Sequence, residues 1–249
     1  MIDLVRRGRL ALLEIRHGKA NAIDVEFCDA LRVRLEEARD PAIAGLVVVG
    51  EGRMFSAGVD LLRVVEGGAA YVRVFLPAFR RVFETLFDYP KPIVAAVNGH
   101  AIAGGCVLAC AADHRVMASG TARIGVPELL VGVAFPTVAF ETVRCACQGR
   151  LRDLIFTGRT LLPEEALAEG MVDAVVSPET LLGEAVKIAE ALADRPQNAF
   201  ILTKRQFRAA AMARIAANRE TVDRDVEDLW CADDTLGTIR RYVERTLKK

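Results

Sequence analysis

The chain has 249 residues, and 52% of them are hydrophobic, so it can bury a sizeable core. Its 33 basic and 33 acidic side chains balance. This balance argues against a nucleic-acid or anionic-membrane partner, since such proteins usually carry a basic excess. No run approaches the roughly 18 apolar residues of a membrane span, and the charged start of the chain does not resemble a secretory signal. We therefore expect a cytoplasmic protein.

The first half of the chain alternates strands with helices. The segments "RLALLEIRHG", "AGLVVVGEG" and "KPIVAAVNG" are apolar runs ended by glycine, and two of them are typical of strands covered on both faces. Asp24 is positioned to cap a helix that Pro41 ends. A helical stripe of apolar residues over 71–86 contains Pro77, where we expect a kink or two abutting helices.

Shorter strands follow in "AADHRVMAS", in "ARIGVPE" and near residues 172–176, and the chain is mostly helical after residue 136. Alternating strands and helices indicate right-handed βαβ units in an α/β fold. Cys106 with Cys110, and Cys145 with Cys147, have the spacing of metal-binding pairs. Because no histidine lies at a matching interval, buried free thiols are the favoured interpretation.

Two strand-to-helix corners carry small residues: "GRMFSAGVDL" after the second strand and "GHAIAGGCVL" after the third. Adjacent parallel strands would bring both corners to the same carboxyl edge of the sheet, where open α/β folds bind ligands. Two N–H groups that converge on one carbonyl oxygen form an oxyanion hole, and we assign these donors to Ala57 and Gly104. Either corner alone could be a tight turn only; the pair favours the functional interpretation.

Four successive segments, "MFSAGVDL", "NGHAIAGGCVLACAAD", "ARIGVPELLVG" and "TGRTLLPEEALAEGMVDAVV", resemble the motifs of the crotonase superfamily of enoyl-CoA hydratases and isomerases. The resemblance covers residues 10–210. It implies a crotonase-like spiral of ββα units over residues 1–195, with a C-terminal helical trimerisation region over 196–249. It also implies trimers or dimers of trimers, acyl-CoA thioester substrates and an enolate intermediate, with no cofactor besides the coenzyme A of the substrate.

The resemblance also suggests which residues meet coenzyme A. Ala57, Gly58, Val59 and Asp60 correspond to the family segment that lines the coenzyme A region, together with Gly104. The loop "RHGKANAID" is similar to the first coenzyme A-binding loop, which makes Arg16, Lys19 and Ala20 candidates near the nucleotide. The basic residues Arg240, Arg241, Lys248 and Lys249 are candidates for a phosphate of a neighbouring subunit's ligand. For the loop, ordinary solvated charges remain an equal alternative, and the basic residues at the end of the chain could equally stabilise a helix C-terminus.

Family members that hydrate a double bond resemble one another in having two glutamates. Here the first position is Val107 and the second is Glu128. A valine can neither take a proton nor orient water, whereas a double-bond shift needs one base, so the resemblance favours an isomerase that moves a 3-enoyl double bond to the 2 position. We expect apolar surroundings to raise the pKa of Glu128. Its alternative role is an ordinary glutamate in the first turn of a helix.

Other residues could still supply chemistry. Glu141 and Glu66 are the acids that could replace the missing glutamate, and His100, beside the second corner, is interpreted as a packing or hydrogen-bonding residue. Ser56 lies in the first corner, so the serine-peptidase chemistry found on the same spiral is a remote alternative. A hydratase with one glutamate, and an acyl-CoA binder without catalysis, are the other functions that the sequence leaves open.

Overall fold

The computed structural model describes residues 1–18, 20–147, 149 and 151–246. Its largest sheet has six strands in the order β1-β2-β4-β7-β9-β11, in which β1 and β2 are antiparallel and the other pairs are parallel. The strands are β1 (Ile2–Arg7), β2 (Leu10–Ile15), β3 (Ala22–Ile23), β4 (Gly45–Gly50), β5 (Met54–Ser56), β6 (Gly58–Val59), β7 (Ile93–Val97), β8 (His100–Ile102), β9 (His114–Ala118), β10 (Ile124–Gly125) and β11 (Ala174–Val176).

The helices lie on both faces of this sheet and at its carboxyl edge. They are α1 (Val25–Glu37), α2 (Leu61–Phe87), α3 (Gly104–Cys110), α4 (Glu128–Val131), α5 (Thr137–Ala146), α6 (Leu151–Thr157), α7 (Pro163–Ala168), α8 (Leu181–Ala193), α9 (Gln197–Asn218), α10 (Val222–Cys231) and α11 (Asp233–Thr246). Among these described helices, none has the length and apolar character needed to cross a bilayer.

Short strands continue the long ones and turn the chain into a spiral. β5, β8 and β10 follow β4, β7 and β9 in turn and form a three-stranded parallel sheet in the order β10-β8-β5. A helix follows each of these pairs, so the repeating unit is ββα, as the sequence resemblance implies. β3 pairs with β6 in a separate two-stranded sheet. This small sheet lies beside the first glycine corner and decides the direction of its amides.

The long strands are buried on both faces, which explains their continuous apolar sequences. On one face the core includes Leu46 and Val48 with α1, α2 and α3. On the other, Val47 and Val94 pack against Leu181 and the small residues of α8. Strands enclosed in this way lose the apolar–polar alternation of a half-exposed sheet. The first strand, β1, was not predicted from the sequence because its exposed edge carries Arg6 and Arg7.

The break in α2 is at Gly68, not at Pro77 as the sequence suggested. Gly68 has φ 56° and ψ −150°, whereas the backbone at Pro77 stays within the helix. A glycine can adopt positive φ at little steric cost. A proline removes one helical hydrogen bond, and here this loss does not divide the helix. Phe79 stacks on Phe83, and Phe75 packs against Phe79 at a tilt of 52°, so the helical stripe continues into the core.

The C-terminal helices pack on the spiral of the same chain. The predicted boundary at residue 195 falls between α8 and α9. α9 contacts α5, while α10 and α11 contact α2. At the base of α9, Lys204 and Arg208 both bind the Asp113 carboxylate, at 2.7 and 2.9 Å. The contacts with α2 place α10 and α11 beside the helix that follows the first glycine corner.

Asp24 caps α1, as predicted, and also holds the loop that precedes it. Its carboxylate accepts the Phe27 amide at 2.7 Å and lies 2.9 Å from His17 Nε2. We expect Asp24→Ala to lower the free energy of unfolding by about 1–2 kcal/mol, since an unsatisfied helix amide remains. Chemical denaturation measures this loss, and Asp29→Ala, at an exposed position on the same helix, is the control. Equal stabilities of the two variants would contradict the cap.

Candidate active site

The two glycine corners lie side by side at the carboxyl edge of the sheet, as the sequence predicts. They open onto a cavity of about 650 Å³, within the usual size of a small-molecule site. Ala57 and Val59 from the first corner, Gly104 from the second, and Glu128 from the start of α4 all line this cavity. The spiral therefore brings together residues that are far apart in the sequence.

The small residues allow the two backbones to touch. Gly58 has φ +84°, and a Cβ atom placed there would lie 2.6 Å from the Ile102 carbonyl oxygen and 3.0 Å from the Gly104 nitrogen. A Cβ atom at Gly105 would lie 2.2 Å from the Ser56 carbonyl oxygen. Contacts this short exclude any side chain at either position. The glycines thus bring the amides of the two corners close to one another.

The assignment of an oxyanion donor to Ala57 is wrong. The Ala57 N–H donates to the Ala20 carbonyl oxygen at 2.9 Å, so it is not available to a substrate. The next amide, of Gly58, donates to Ser56 Oγ at 3.2 Å. The sequence did not predict that the short strand β3 would lie beside this corner and accept its hydrogen bonds.

The amide of Val59 has the orientation that Ala57 lacks. β3 and β6 pair Ile23 with Val59, and the Asp60 N–H donates to the Ile23 carbonyl oxygen at 3.0 Å. In a parallel ladder, the residues on either side of the directly paired one make the hydrogen bonds. Val59 therefore directs its own N–H away from β3. Because Val59 itself lines the cavity, this amide is the candidate oxyanion donor of the first corner.

Gly104 supplies the second candidate donor, as predicted. It is the first residue of α3, and the first bond between helix turns runs from the Val107 N–H to the Ala103 carbonyl oxygen at 3.1 Å. The amide of Gly104 precedes that bond and so has no acceptor within the helix. Ala103 turns the chain with φ 52° and ψ −122°, a conformation that costs a non-glycine residue of order 1–3 kcal/mol. Strain of this kind is common at ligand sites.

Glu128 is a buried carboxyl group in the wall of the cavity. Its residue is 9% exposed, and its Oε2 atom has no hydrogen-bond partner among the described residues. Burial disfavours the charged form and raises the pKa of Glu128 from 4.5 to about 8. The sequence predicted this direction from the apolar residues around "PE". A carboxyl group with such a pKa is a candidate proton acceptor near neutral pH.

Neither alternative glutamate replaces the one missing at Val107. Val107 is fully buried and lines the cavity. Glu141 is buried, but its Oε2 atom binds both Arg144 and Arg214 at 2.8 Å, so its charge is neutralised within the fold. Glu66 is exposed on α2 and is not among the residues of the cavity wall. The carboxylates of Asp24 and Asp60 line the cavity but cap α1 and α2.

The hydroxyl of Ser56 is bound within the fold, which argues against a role as a peptidase nucleophile. Ser56 Oγ donates to the Asn21 carbonyl oxygen at 2.7 Å and is fully buried. The ring of His100 accepts the Arg123 amide at Nδ1, consistent with the hydrogen-bonding role predicted for it. His114 lies near Asp173, and His17 is bound to Asp24. No described histidine thus pairs with Ser56 as a catalytic base would.

The residues expected near coenzyme A divide into two groups. Ala20, Val59 and Asp60 line the cavity, and His17 and Gly18, which the sequence did not single out, join them at its rim. The following side chains do not line it: Arg16, which pairs with Asp3, Glu14 and Glu51, and the exposed Arg240 and Arg241. Lys19, Lys248 and Lys249 lie outside the described residues.

Comparison with known proteins identifies the class that this fold and site represent. Residues 7–248 match the family model of enoyl-CoA hydratase/isomerase. The chain is 34% identical to crotonyl-CoA hydratase of Syntrophomonas wolfei, over 82% of this chain and 79% of that protein. It is 32% identical to short-chain-enoyl-CoA hydratase of Clostridium acetobutylicum, over 98% of this chain and 95% of that protein.

A solved structure gives the same result. Human mitochondrial Δ3-Δ2-enoyl-CoA isomerase superposes with a TM-score of 0.93 at 25% identity, covering 99% of this chain and 98% of that one. The chain belongs to the enoyl-CoA hydratase/isomerase family, in the crotonase superfamily, and is an enzyme of that family. The relatives include both hydratases and an isomerase, so the site itself must distinguish these reactions.

Proposed function

We propose that the protein is a coenzyme A thioester isomerase that shifts a double bond from the 3 to the 2 position. The observation that carries this proposal is that Glu128 is the one glutamate among the described residues of the cavity wall, which it shares with Val107, Val59 and Gly104. One base and one oxyanion hole suffice for a proton shuttle within a single substrate. Adding water would require a second group to orient and deprotonate it.

The shuttle begins when the Glu128 carboxylate takes a proton from C2 of a 3-enoyl thioester. The electron pair of that C–H bond moves into conjugation, and negative charge develops on the thioester oxygen. The amides of Val59 and Gly104 would donate to this oxygen, and each such donor is worth roughly 3 kcal/mol in the transition state. Glu128 then returns the same proton to C4, which completes the shift and regenerates the carboxylate.

The shape of the cavity supports one orientation of the thioester. Its rim is formed by partly exposed residues such as Gly18 and Leu62, whereas Phe75 and Val107 line it and are fully buried. The pantetheine and nucleotide of coenzyme A would leave through the rim, and the acyl group would enter the buried part. This reaction requires no cofactor beyond the coenzyme A that the substrate carries.

The hydratase alternative is favoured by the names of the curated relatives. Incubation with matched 3-enoyl and 2-enoyl thioesters tests the two reactions. We expect the 3-enoyl thioester to give the conjugated 2-enoyl product, seen as a rise in ultraviolet absorbance, without hydroxylation. Rapid formation of a 3-hydroxyacyl product from the 2-enoyl thioester would instead establish a hydratase. Tight calorimetric binding without either reaction would indicate an acyl-CoA binder.

The raised pKa of Glu128 predicts the pH dependence of the reaction. A base must be deprotonated to accept a proton, so kcat/KM should rise about tenfold per pH unit below the pKa of about 8 and level off above it. Initial rates over a pH series, measured at subsaturating thioester, give this profile. A flat profile across neutral pH would show that Glu128 does not titrate in the reaction.

We also propose self-association as a trimer or dimer of trimers. Large apolar side chains on several helices remain exposed in the single chain, including Leu130, Phe156, Leu202 and Phe207. Apolar surface of this kind is common in subunit interfaces. Light scattering coupled to size-exclusion chromatography measures the mass of the assembly, and a monomer would contradict the proposal.

A further inference from the structure

The buried part of the cavity differs chemically from its rim. The rim contains backbone-rich loop residues and the carboxylates of Asp24 and Asp60. The buried part is formed by apolar side chains that are each less than a tenth exposed: Phe75, Leu76, Phe79, Val107, Val131, Val133, Phe135, Ala139 and Trp230. Glu128 lies among these residues in the wall, so the apolar chamber adjoins the proposed proton shuttle.

Trp230 belongs to this chamber although it comes from the C-terminal helix α10. It is the only tryptophan of the chain and is 3% exposed. Its indole Nε1–H donates to the Ala134 carbonyl oxygen at 2.9 Å, and Ala134 lines the same cavity. This bond fixes the ring and uses its single donor. Trp230 therefore presents to the cavity a rigid aromatic surface that has no free polar group.

The chamber offers little to a polar acyl group. Apart from Glu128 and the half-buried Tyr242, the described side chains around it are hydrocarbon or have their polar atom already bonded. A hydroxyl or carboxylate buried in such surroundings loses its bonds to water and gains none. A hydrocarbon or aryl group loses nothing and gains contacts with the aromatic rings.

We propose that this enzyme selects thioesters whose acyl group is hydrocarbon along its distal part, alkyl or aryl, and that Trp230 limits its length. The selection excludes acyl groups that end in a hydroxyl or a carboxylate. This inference rests on the proposed function for the position of the acyl group. It assigns to Trp230 a role in specificity, separate from the proton transfer at Glu128.

The first experiment compares three 3-enoyl thioesters of equal chain length that end in methyl, hydroxyl or carboxylate. We expect kcat/KM for both polar-ended substrates to be lower by about a hundredfold or more, because an unpaired polar group would be buried. Calorimetry with the corresponding saturated thioesters should show the same order of affinities. Comparable kcat/KM and affinity for all three would overturn the inference.

The second experiment enlarges the chamber. Trp230→Ala should raise the ratio of kcat/KM for a long alkyl thioester over a short one by about tenfold or more, since each added methylene gains space. Trp230→Phe, a smaller change, should move the ratio in the same direction and guards against misfolding of the first variant. Leu229→Ala, exposed on the same helix, is the control. An unchanged ratio in both Trp230 variants would refute the role of Trp230.

The two proposals fail in different ways. If polar-ended thioesters bind weakly but no thioester is turned over, the selectivity stands and the isomerase proposal fails. If isomerisation proceeds equally well with polar-ended substrates, the isomerase stands and the selectivity fails. Because binding of saturated thioesters needs no chemistry, the calorimetric series separates these cases.

Discussion

Glu128→Gln will lower kcat for double-bond isomerisation by about 10²–10⁴-fold, the usual contribution of a positioned general base. Glutamine keeps nearly the same shape but cannot accept the proton from C2. Because Glu128 is proposed to touch the substrate only at the reacting carbons, the affinity for a saturated thioester should stay the same. Steady-state kinetics with a 3-enoyl thioester and calorimetry with the saturated one measure the two quantities.

Glu66→Gln is the control for this variant, since Glu66 is an exposed glutamate that is absent from the cavity wall. It should retain the activity of the unmodified enzyme. A Glu128→Gln enzyme with undiminished turnover would exclude the proton shuttle and leave the oxyanion hole without its base. Loss of thioester affinity in Glu128→Gln would point to a binding role instead.

The same substitution has a second readout in stability. The folded state raises the pKa of Glu128 from 4.5 to about 8, so it holds the proton more tightly than the unfolded state does. The unmodified protein should therefore lose stability relative to Glu128→Gln as the pH rises from about 4.5 to about 8, by up to about 5 kcal/mol. Denaturation curves of both proteins at several pH values measure this difference. A constant difference would show that the carboxyl group is solvated.

Gly58→Ala will reduce kcat/KM by about 10²–10³-fold, comparable to the loss of one oxyanion donor. The added Cβ atom would lie 2.6 Å from the Ile102 carbonyl oxygen and 3.0 Å from the Gly104 nitrogen, so the two corners must separate. Separation moves the amides of Val59 and Gly104 out of their common position. Stability should fall by more than about 3 kcal/mol, from positive-φ strain and overpacking together.

Gly52→Ala is the control for this variant, because it adds the strain of positive φ without a steric contact. Gly52 also has positive φ, +64°, but a Cβ atom there meets no heavy atom within 4 Å. It should therefore lose only about 1–2 kcal/mol of stability, without loss of activity. Kinetics and chemical denaturation of the two variants make the comparison. Equal activity in Gly58→Ala and Gly52→Ala would show that catalysis does not need the close approach of the corners.

Sequence patterns identified the elements that carry the site because those patterns follow from burial. Strands enclosed on both faces require continuous apolar runs, and corners in close contact require glycine, as at Gly58 and Gly105. Glu128 was found through its family motif, and its raised pKa followed from its apolar neighbours. The pair of glycine corners and the lone glutamate could thus be predicted from the sequence.

The pairing between distant segments could not be predicted from the sequence in the same way. Ala57 and Val59 are two residues apart in the same corner, yet the Ala57 amide donates to Ala20 while Val59 directs its amide away from β3. The two amides differ because the backbone turns at Gly58, which has φ +84°, and the register of β6 against β3 decides which amide beyond that turn faces β3. The local sequence does not specify that register.

The sequence by itself determined the alternation of strands and helices and the valine at position 107 where a second glutamate would stand, because each follows from residue type and order. Its resemblance to the crotonase superfamily implied the ββα spiral. Tertiary structure alone decided three other points: which amide of the first corner faces away from β3, that Arg144 and Arg214 neutralise Glu141, and that Trp230 of α10 lines the buried part of the cavity. These depend on which remote groups come into contact, and contact is set by packing of the whole chain.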